Sequence, residues 1–256
     1  MNTESENISA RAKASLIHFA LSVFVAGLSA ILVFALWYPY PYSDISGGRE
    51  LFVLLIAVDV IIGPLITFVV FNKQKPLAEL RRDLVVVALL QTLALGYGLW
   101  TVAKARPVHI VFEIDSFRVV QSIDIPEELL SKAPKNITAF PLTGPTLIGL
   151  RPFKNEQEKF EMTLTALGGI HLSARPDLWQ DYDDSRKAVI AAAKPIKKLL
   201  QRYPEYAKAI QDVVAERRIS DDDLMYLPLV GRKSVWTVLV DSKTANILGF
   251  IPLDSF

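Results

Sequence analysis

The chain has 256 residues, enough for one or two domains, but a hydrophobic fraction of 51% and a mean hydropathy of +0.30 argue against an ordinary soluble globule. A net charge of +1 gives no concentrated basic surface for nucleic acid, and the absence of cysteine excludes disulfides, thiolate catalysis and cysteine-ligated zinc. Residues 1–106 hold 9 Lys/Arg and 7 Asp/Glu, whereas residues 107–256 hold 19 and 20. The composition therefore predicts an apolar N-terminal part and a water-soluble C-terminal part.

Three apolar stretches are long enough to cross a bilayer, which takes about 20 helical residues. They predict spans at about residues 15–38, 51–71 and 84–103, within a transmembrane domain of residues 15–106 that follows an N-terminal segment of residues 1–14. A cleaved signal peptide is the alternative for the first stretch. Its apolar run is longer than the hydrophobic region of a signal peptide, and no small-residue cleavage site follows it, so we expect a retained helix.

Basic residues beside the spans indicate the orientation. The N-terminal segment and the second connection carry six basic residues, whereas the first connection and the end of the third span carry three. The positive-inside rule then predicts a cytoplasmic N-terminus and an external domain of residues 107–256. Aromatic residues that end the first and third spans agree with one shared interface: Trp37, Tyr38, Tyr40, Tyr42, Tyr97 and Trp100. The residues expected to set the topology and to face the lipid are Lys73, Lys75, Arg81 and Arg82.

The C-terminal part predicts an α+β domain with antiparallel strands at both ends and helices between them. Alternation over residues 108–114 predicts a half-buried strand, paired as a hairpin with residues 117–125. Residues 234–240 and 247–251 predict a closing hairpin. Helices are predicted from Asn155 to Gly168, from Asp184 to Arg202 with a kink or boundary at Pro195, and from Pro204 to about Arg218. The first of these helices is expected to lay Phe160, Leu164 and Leu167 on the sheet.

No catalytic, cofactor-binding or metal-binding residues are predicted. The three histidines, His18, His109 and His171, have no partner motif, and no hydrolase elbow, zincin, dinucleotide or P-loop motif occurs. Two acidic clusters, residues 181–184 and 221–223, lack the spacing of a calcium loop. Each is expected to cap a following helix, the second together with Ser220.

Asp59 is the most unusual residue, because a carboxylate inside a span costs about 2.5 to 3.5 kcal/mol unless it is protonated, paired or hydrated. Three interpretations stay open: an internal contact, a docking point for another protein's transmembrane helix, or a proton-relay site. Gly63 and Pro64 follow shortly, and Pro64 is expected to loosen the helix because it lacks an N–H donor. The side chains able to donate to Asp59 within the spans are Ser22, Ser29, Gln91 and Thr92.

A family resemblance rests on several short runs in the first 120 residues. They are Tyr-Pro-Tyr-Pro-Tyr at 38–42, Gly47-Gly48, Leu51-Phe52, Val58-Asp59-Val60, Gly63-Pro64-Leu65, Lys75-Pro76, residues 79–84 and residues 105–108. These runs resemble the TfpX/TfpZ-type type IV pilin accessory proteins. The later part of the chain is similar to that family only in size and general pattern.

The resemblance implies a multi-pass protein of the bacterial inner membrane with a periplasmic C-terminal domain. It implies a non-enzymatic role in assembly, stability or dynamics of a type IV pilus, with the pilin and the lipid bilayer as partners. Asp59, Gly63 and Pro64 are the candidate contacts with a partner inside the membrane. A membrane-anchored periplasmic sensor or binding domain is the alternative, followed by a small ion or proton carrier centred on Asp59.

Overall fold

The computed structural model describes residues 2–217 and 219–256, so the predicted helix end at Arg218 lies outside the described residues. The chain forms two compact units. The helical unit comprises residues up to Pro39 together with Gly48–Ala105, and the sheet unit comprises Tyr40–Gly47 together with Arg106–Phe256. The short connection between the first two predicted spans therefore groups with the C-terminal domain.

Three helices of the described chain are long and apolar enough to cross a membrane, as the hydropathy pattern predicts: Glu4–Trp37, Gly48–Val70 and Leu77–Lys104. In detail, α1 (Asn2–Ile31) continues as a π-helix over Leu32–Trp37, and a short α2 (Tyr42–Ile45) follows. The second long helix consists of α3 (Gly48–Ala57), a π-helical segment (Val58–Ile62) and α4 (Gly63–Val70), and the third is α5 (Leu77–Lys104).

Tyr38 and Gly48 form a close contact inside the helical unit. The Tyr38 side chain is fully buried, and its hydroxyl donates to the Val102 carbonyl oxygen at 3.1 Å. A Cβ added at Gly48 would overlap the Tyr38 ring, so this position requires glycine for space. Tyr38 is thus a packing residue between helices and not an exposed interfacial aromatic, whereas Tyr97 and Trp100 are exposed as expected.

We expect Gly48→Ala to destabilise the helical unit by about 1 to 3 kcal/mol, because the buried Tyr38 ring has to move to admit a methyl group. Gly96→Ala is the matched control, since nothing lies within 4 Å of a Cβ at Gly96. Thermal unfolding of the two purified variants in the same detergent measures the difference. Equal unfolding temperatures would show that the Tyr38 contact tolerates the methyl group.

The sheet unit contains β1 (Pro107–Glu113), β2 (Ser116–Gln121), β3 (Thr146–Leu150), α6 (Glu156–Leu167), β4 (Trp179–Asp181), α7 (Tyr182–Ala192), β5 (Lys194–Pro195), α8 (Ile196–Arg202), α9 (Ala207–Arg217), β6 (Leu224–Val230), β7 (Val235–Asp241) and β8 (Ile247–Ile251). The strand order is β4-β3-β1-β2-β6-β7-β8, and β5 pairs with β6. Both predicted hairpins, β1–β2 and β7–β8, are confirmed as antiparallel pairs.

The sheet is mixed, which corrects the purely antiparallel prediction. Strand β1 pairs in parallel with β3, and β2 pairs in parallel with β6. The β2–β6 pair joins the two hairpins into one sheet, although only Phe117 with Leu229 and Arg118 with Val230 are in register. Parallel neighbours come from distant parts of the chain, so hairpin patterns alone do not reveal them.

Both faces of the central strands are covered, so β1 is buried from Pro107 to Phe112 and not half-buried as the alternation predicts. One face packs against α7 and the segment Tyr40–Gly47, whose Tyr42 and Ile45 belong to the same hydrophobic cluster as Phe117, Leu229 and Trp236. Residues from α8 and α9 cover β6–β8, and loop residues 125–140 and 174 cover β1 and β3. The sequence of β1 is therefore mostly apolar on both faces of the strand.

The connection Tyr40–Gly47 is an integral part of the sheet unit. Ile45 is 0% exposed, and its carbonyl oxygen accepts a hydrogen bond from the Lys233 amide at 3.0 Å. The Ser46 carbonyl oxygen accepts from Nε2 of buried Gln121 at 3.2 Å. A Cβ at Gly231 would overlap Ile45, so glycine allows this close approach. The sheet unit is consequently built from two separate stretches of chain.

Helix α6 starts where it was predicted, because the Asn155 side chain caps it by accepting from the Glu158 amide at 2.7 Å. The expected packing on the sheet is wrong. Arg151 holds the helix through two hydrogen bonds to Glu158, at 3.0 and 2.7 Å, and this contact lowers the pKa of Glu158 to about 2. The side chains expected on the sheet are 63%, 51% and 81% exposed: Phe160, Leu164 and Leu167.

The later helices and the second acidic cluster are only partly as predicted. Pro195 is a boundary, since α7 and α8 are separate helices with β5 between them. The Ser220 hydroxyl accepts from the Asp222 amide at 3.3 Å, as a cap does. The turn Asp221–Asp223 leads into strand β6, however, and not into a helix. A fully apolar strand lacks the alternation that would have identified it.

His109 is buried in the sheet unit at 0% exposure. Its Nδ1 lies 2.7 Å from Thr146 Oγ1, its Nε2 lies 3.1 Å from the Ala139 carbonyl oxygen, and its ring meets Trp179 edge to face. Burial lowers the pKa of His109 to about 4, although the hydrogen bond to Ala139 opposes this shift. The histidine is thus a neutral packing residue of the sheet unit.

We expect the sheet unit to lose stability as the pH falls from about 6.5 towards 4, because the unfolded chain then binds a proton that folded His109 excludes. The loss is about 2 kcal/mol at pH 5, since each pKa unit corresponds to about 1.4 kcal/mol. Denaturant unfolding of the detergent-solubilised chain at pH 7.5 and pH 5 measures it. In His109→Gln the same pH change should cost clearly less, and an unchanged pH dependence would assign the effect to other groups.

Candidate functional site

A line of polar contacts joins α1 to the second long helix within the helical unit. Arg11 Nε donates to the Phe71 carbonyl oxygen at 2.8 Å, and the Ser15 hydroxyl donates to the Pro64 carbonyl oxygen at 2.9 Å. One turn further along α1, His18 Nδ1 lies 2.5 Å from Thr67 Oγ1. These contacts satisfy polar groups between two apolar helices and fix their register.

A groove of about 450 Å³ lies beside these contacts. Helix α1 contributes one wall with residues such as Leu21 and Val25, and α5 contributes the other with residues such as Val87 and Ala88. The second long helix packs against both of them. The lining is mostly apolar, and its polar members are His18, Ser22, Asp59, Thr67, Gln91 and Thr92.

Asp59 sits where two cavities meet. It lines the groove between α1 and α5, and also a second cavity of about 240 Å³ between α3 and α5. The side chain is only 8% exposed. His18 lines the same groove and lies within electrostatic range of the carboxylate, and no described residue donates a hydrogen bond to it. The site therefore holds a buried acceptor with capacity for a further donor.

Three of the four donors expected for Asp59 lie near it, but none donates a hydrogen bond to it. Ser22, Gln91 and Thr92 line the same groove, yet the Thr92 hydroxyl donates to the Ala88 carbonyl oxygen at 2.8 Å. Ser29 is buried elsewhere in the unit and does not line the groove. The proximity of His18 was not anticipated, because sequence alone does not show that His18 and Asp59 share a groove.

Gly63 and Pro64 lie one turn beyond Asp59 and shape the same helix. The π-helical segment Val58–Ile62 carries Asp59 and ends directly before them. Pro64 cannot donate to the carbonyl oxygen of Val60, so a regular α-helical ladder is interrupted at this point. A Cβ at Gly63 would overlap the Gln91 amide, which shows how closely α5 approaches here.

Of the predicted topology residues, Lys73 and Lys75 lie in the connection between the second and third long helices, and Arg81 and Arg82 lie near the start of α5. Lys75 Nζ lies 2.7 Å from Asp83 Oδ2 and 3.7 Å from Glu79 Oε1, and the hydrogen bond with Asp83 raises the pKa of Lys75. Lys73, Arg81 and Arg82 are exposed. Exposed basic side chains at this position fit contact with the aqueous side of a lipid surface.

Within residues 2–217 and 219–256, no group of three or more His, Cys, Asp or Glu side chains could hold a metal ion. The acidic clusters form ion pairs with lysines and arginines: Asp183 with Arg186, Asp222 with Lys197 and Asp223 with Lys243, each at 2.7 Å. The groove around Asp59 is thus the most distinctive polar site in the described chain.

Fold and site together define a protein with three long apolar helices, a polar groove among them and an attached mixed α/β domain. The chain belongs to the family of fimbrial assembly proteins, because a relative of that name is 37% identical over 96% of both chains. The family model for fimbrial assembly protein FimB matches residues 6–47, which include most of α1 and the connection Tyr40–Gly47 of the sheet unit.

Relatives in Dichelobacter nodosus support the family over nearly the whole chain. The fimbrial assembly protein of serogroup E1 is 37% identical over 96% of this chain and 96% of its own length. That of serogroup I is 36% identical with the same coverage, and that of serogroups C1 and C2 is 45% identical over 48% of this chain and 92% of its own. No solved structure matches the chain.

Proposed function

We propose that this protein is an inner-membrane accessory protein that assists a type IV pilin during fimbrial assembly. The relatives named fimbrial assembly proteins support the assembly role, because two of them match nearly the whole chain. The resemblance to TfpX/TfpZ-type accessory proteins supports the finer assignment to a cognate pilin. The protein acts by binding and not by catalysis, so its function depends on a contact surface.

The groove beside Asp59 is the proposed contact with the partner's transmembrane helix. Its walls, α1 and α5, are apolar and stand apart, which leaves room for a side of another helix. In a bilayer, apolar walls alone give little specificity because lipid tails are equally apolar. Asp59 and His18 supply the polar element, and a donor on the partner helix satisfies the buried carboxylate.

The proposed orientation places the N-terminus, the connection with Lys73 and the start of α5 with Arg81 and Arg82 in the cytoplasm, and the sheet unit in the periplasm. An alkaline phosphatase fusion after Phe256 should then be active, and a fusion at Gln74 inactive. The opposite activities would reverse the orientation and remove the periplasmic assignment of the sheet unit.

Photocrosslinking tests the proposed partner contact. A photoreactive amino acid at Leu21, which lines the groove, should form an adduct with the pilin in native membranes. The matched control is Phe24, which is exposed on the same helix but does not line the groove. Adducts of equal yield at both positions would indicate random contact, and no pilin adduct at Leu21 would contradict the proposal.

The two alternatives predict other outcomes. A sensor or binding protein would leave fimbriation intact when the gene is deleted with the pilin present, whereas an assembly protein would not. A proton or ion carrier centred on Asp59 would move charge across liposomes, which a docking site does not do. Surface fimbriae in the deletion strain and flux into proteoliposomes distinguish the three functions.

A further inference from the structure

The sheet unit contains a cleft of about 260 Å³ that is separate from the groove of the helical unit. It forms where the parallel strands β2 and β6 separate. They are in register only at Phe117 with Leu229 and Arg118 with Val230, and β6 then ends while β2 continues to Gln121. Where one of two neighbouring parallel strands ends, the chains separate and leave a crevice. Crevices at the carboxyl ends of strands bind ligands in α/β proteins.

Positively charged and donor side chains gather at this cleft. Arg118 lies on β2, Arg232 lies in the turn after β6, and His171 and Ser173 lie on the turn that packs over β2. Asp124 also lines the cleft, but its carboxylate accepts from the Gln121 amide at 3.0 Å. Two guanidinium groups and one carboxylate line the cleft, and a second carboxylate, that of Glu113, pairs with Arg118 from outside the lining.

The two guanidinium groups are held in place and retain donors. Arg118 Nε donates to Glu113 Oε2 at 2.9 Å, and Arg232 donates to Gln121 Oε1 at 2.6 Å. In the described chain their remaining N–H groups have no partner. A guanidinium group that is held on one side by a protein acceptor points its remaining N–H donors in a defined direction. Donors arranged in this way suit the binding of an oxyanion.

A third observation comes from Ser173. This residue is 0% exposed, and its hydroxyl has no hydrogen-bond partner among the described residues. Buried hydroxyl groups normally have a hydrogen-bond partner, so an unpaired hydroxyl group at a cleft indicates that a ligand supplies the acceptor. From the two arginines, this serine and the separated strands, we propose that the cleft binds the phosphate group of a solute or of a lipid headgroup.

The cleft is also linked to the connection between the first two long helices. Gln121, which holds Arg232, donates through Nε2 to the Ser46 carbonyl oxygen. A phosphate bound by Arg232 therefore stabilises the same network that keeps Tyr40–Gly47 in the sheet unit.

Titration with inorganic phosphate at constant ionic strength tests the site in the full chain in detergent. We expect saturable binding by calorimetry, with the affinity at least about tenfold weaker in Arg232→Gln, because a charge-assisted bond is lost. Arg118→Gln should weaken binding similarly, and Ser173→Ala less. Lys208→Gln is the matched control, since it removes one exposed positive charge outside the cleft and should change the affinity less than twofold.

Hydrogen exchange distinguishes the source of the phosphate group. If free phosphate protects the amides of residues 119–121 and 231–233 from exchange, and nanodiscs of phosphatidylglycerol and of phosphatidylcholine both give little protection, the ligand is a solute. Greater protection in phosphatidylglycerol nanodiscs without added phosphate indicates a lipid headgroup. No protection under either condition, or equal phosphate affinity in wild type and Arg232→Gln, overturns the proposal. Circular dichroism of Arg232→Gln confirms that the exposed substitution leaves the fold intact.

Discussion

Residues 106–256 expressed alone should fail to form a stable domain, because they lack Tyr40–Gly47. Ile45 and Tyr42 are buried in the main hydrophobic cluster of the sheet unit, and their removal exposes Leu229 and Trp236. Loss of a buried large side chain costs about 2 to 5 kcal/mol, so losing both approaches the 5 to 15 kcal/mol that stabilises a typical domain. Circular dichroism and gel filtration of the fragment should report an aggregated or largely unfolded chain.

Adding the connection Tyr40–Gly47 to the 106–256 fragment should restore folding. Fusing residues 40–47 through a flexible linker of about ten Gly/Ser residues to Arg106 provides a reach of roughly 18 Å. In the full chain, Ile45→Ala should cost about 2 to 5 kcal/mol, whereas the matched change Ile123→Ala, at a side chain 60% exposed, should cost less than about 0.5 kcal/mol. A stable, monomeric 106–256 fragment would show that the connection is dispensable.

Local patterns predicted the elements that stabilise themselves locally. Three long apolar runs become helices, and two pairs of predicted strands become hairpins, because hydropathy and turn signals act over neighbouring residues. The parallel β2–β6 pair was not predictable in this way, since Arg118 and Val230 are brought together only by the whole domain. The buried position of Tyr42 was missed for a related reason: an aromatic after a span resembles an interfacial anchor, and its core contacts lie far along the chain.

The candidate site was predictable in part. Asp59 stands out because charge inside an apolar run is costly, and the groove around it agrees with a polar role. Its relation to His18 depends on the depth and rotation of two helices, which a single sequence does not encode visibly. The cleft with Arg118 and Arg232 gave no sequence signal at all, because isolated arginines on a strand and in a turn are ordinary surface residues.

Asp59→Leu should abolish surface fimbriae while leaving the protein inserted and at least as stable. The buried carboxylate costs about 2.5 to 3.5 kcal/mol in the membrane, so leucine removes an unfavourable group together with the acceptor for a partner helix. Asp59→Asn keeps hydrogen-bonding capacity and should retain part of the function. Piliation, thermal stability in detergent and the pilin adduct at Leu21 are measured together for each variant.

The combination of stability and function separates docking from a structural contact. If Asp59 mainly holds the three helices together, Asp59→Leu should lower the unfolding temperature and the cellular amount of the protein. If Asp59 binds the partner helix, the leucine variant should accumulate normally, and the yield of the pilin adduct at Leu21 should fall at least about tenfold. Ser29→Ala, at a buried polar residue that does not line the groove, should change neither piliation nor adduct. Normal piliation in both Asp59 variants would remove the docking role, because neither charge nor polarity would then be needed in the groove.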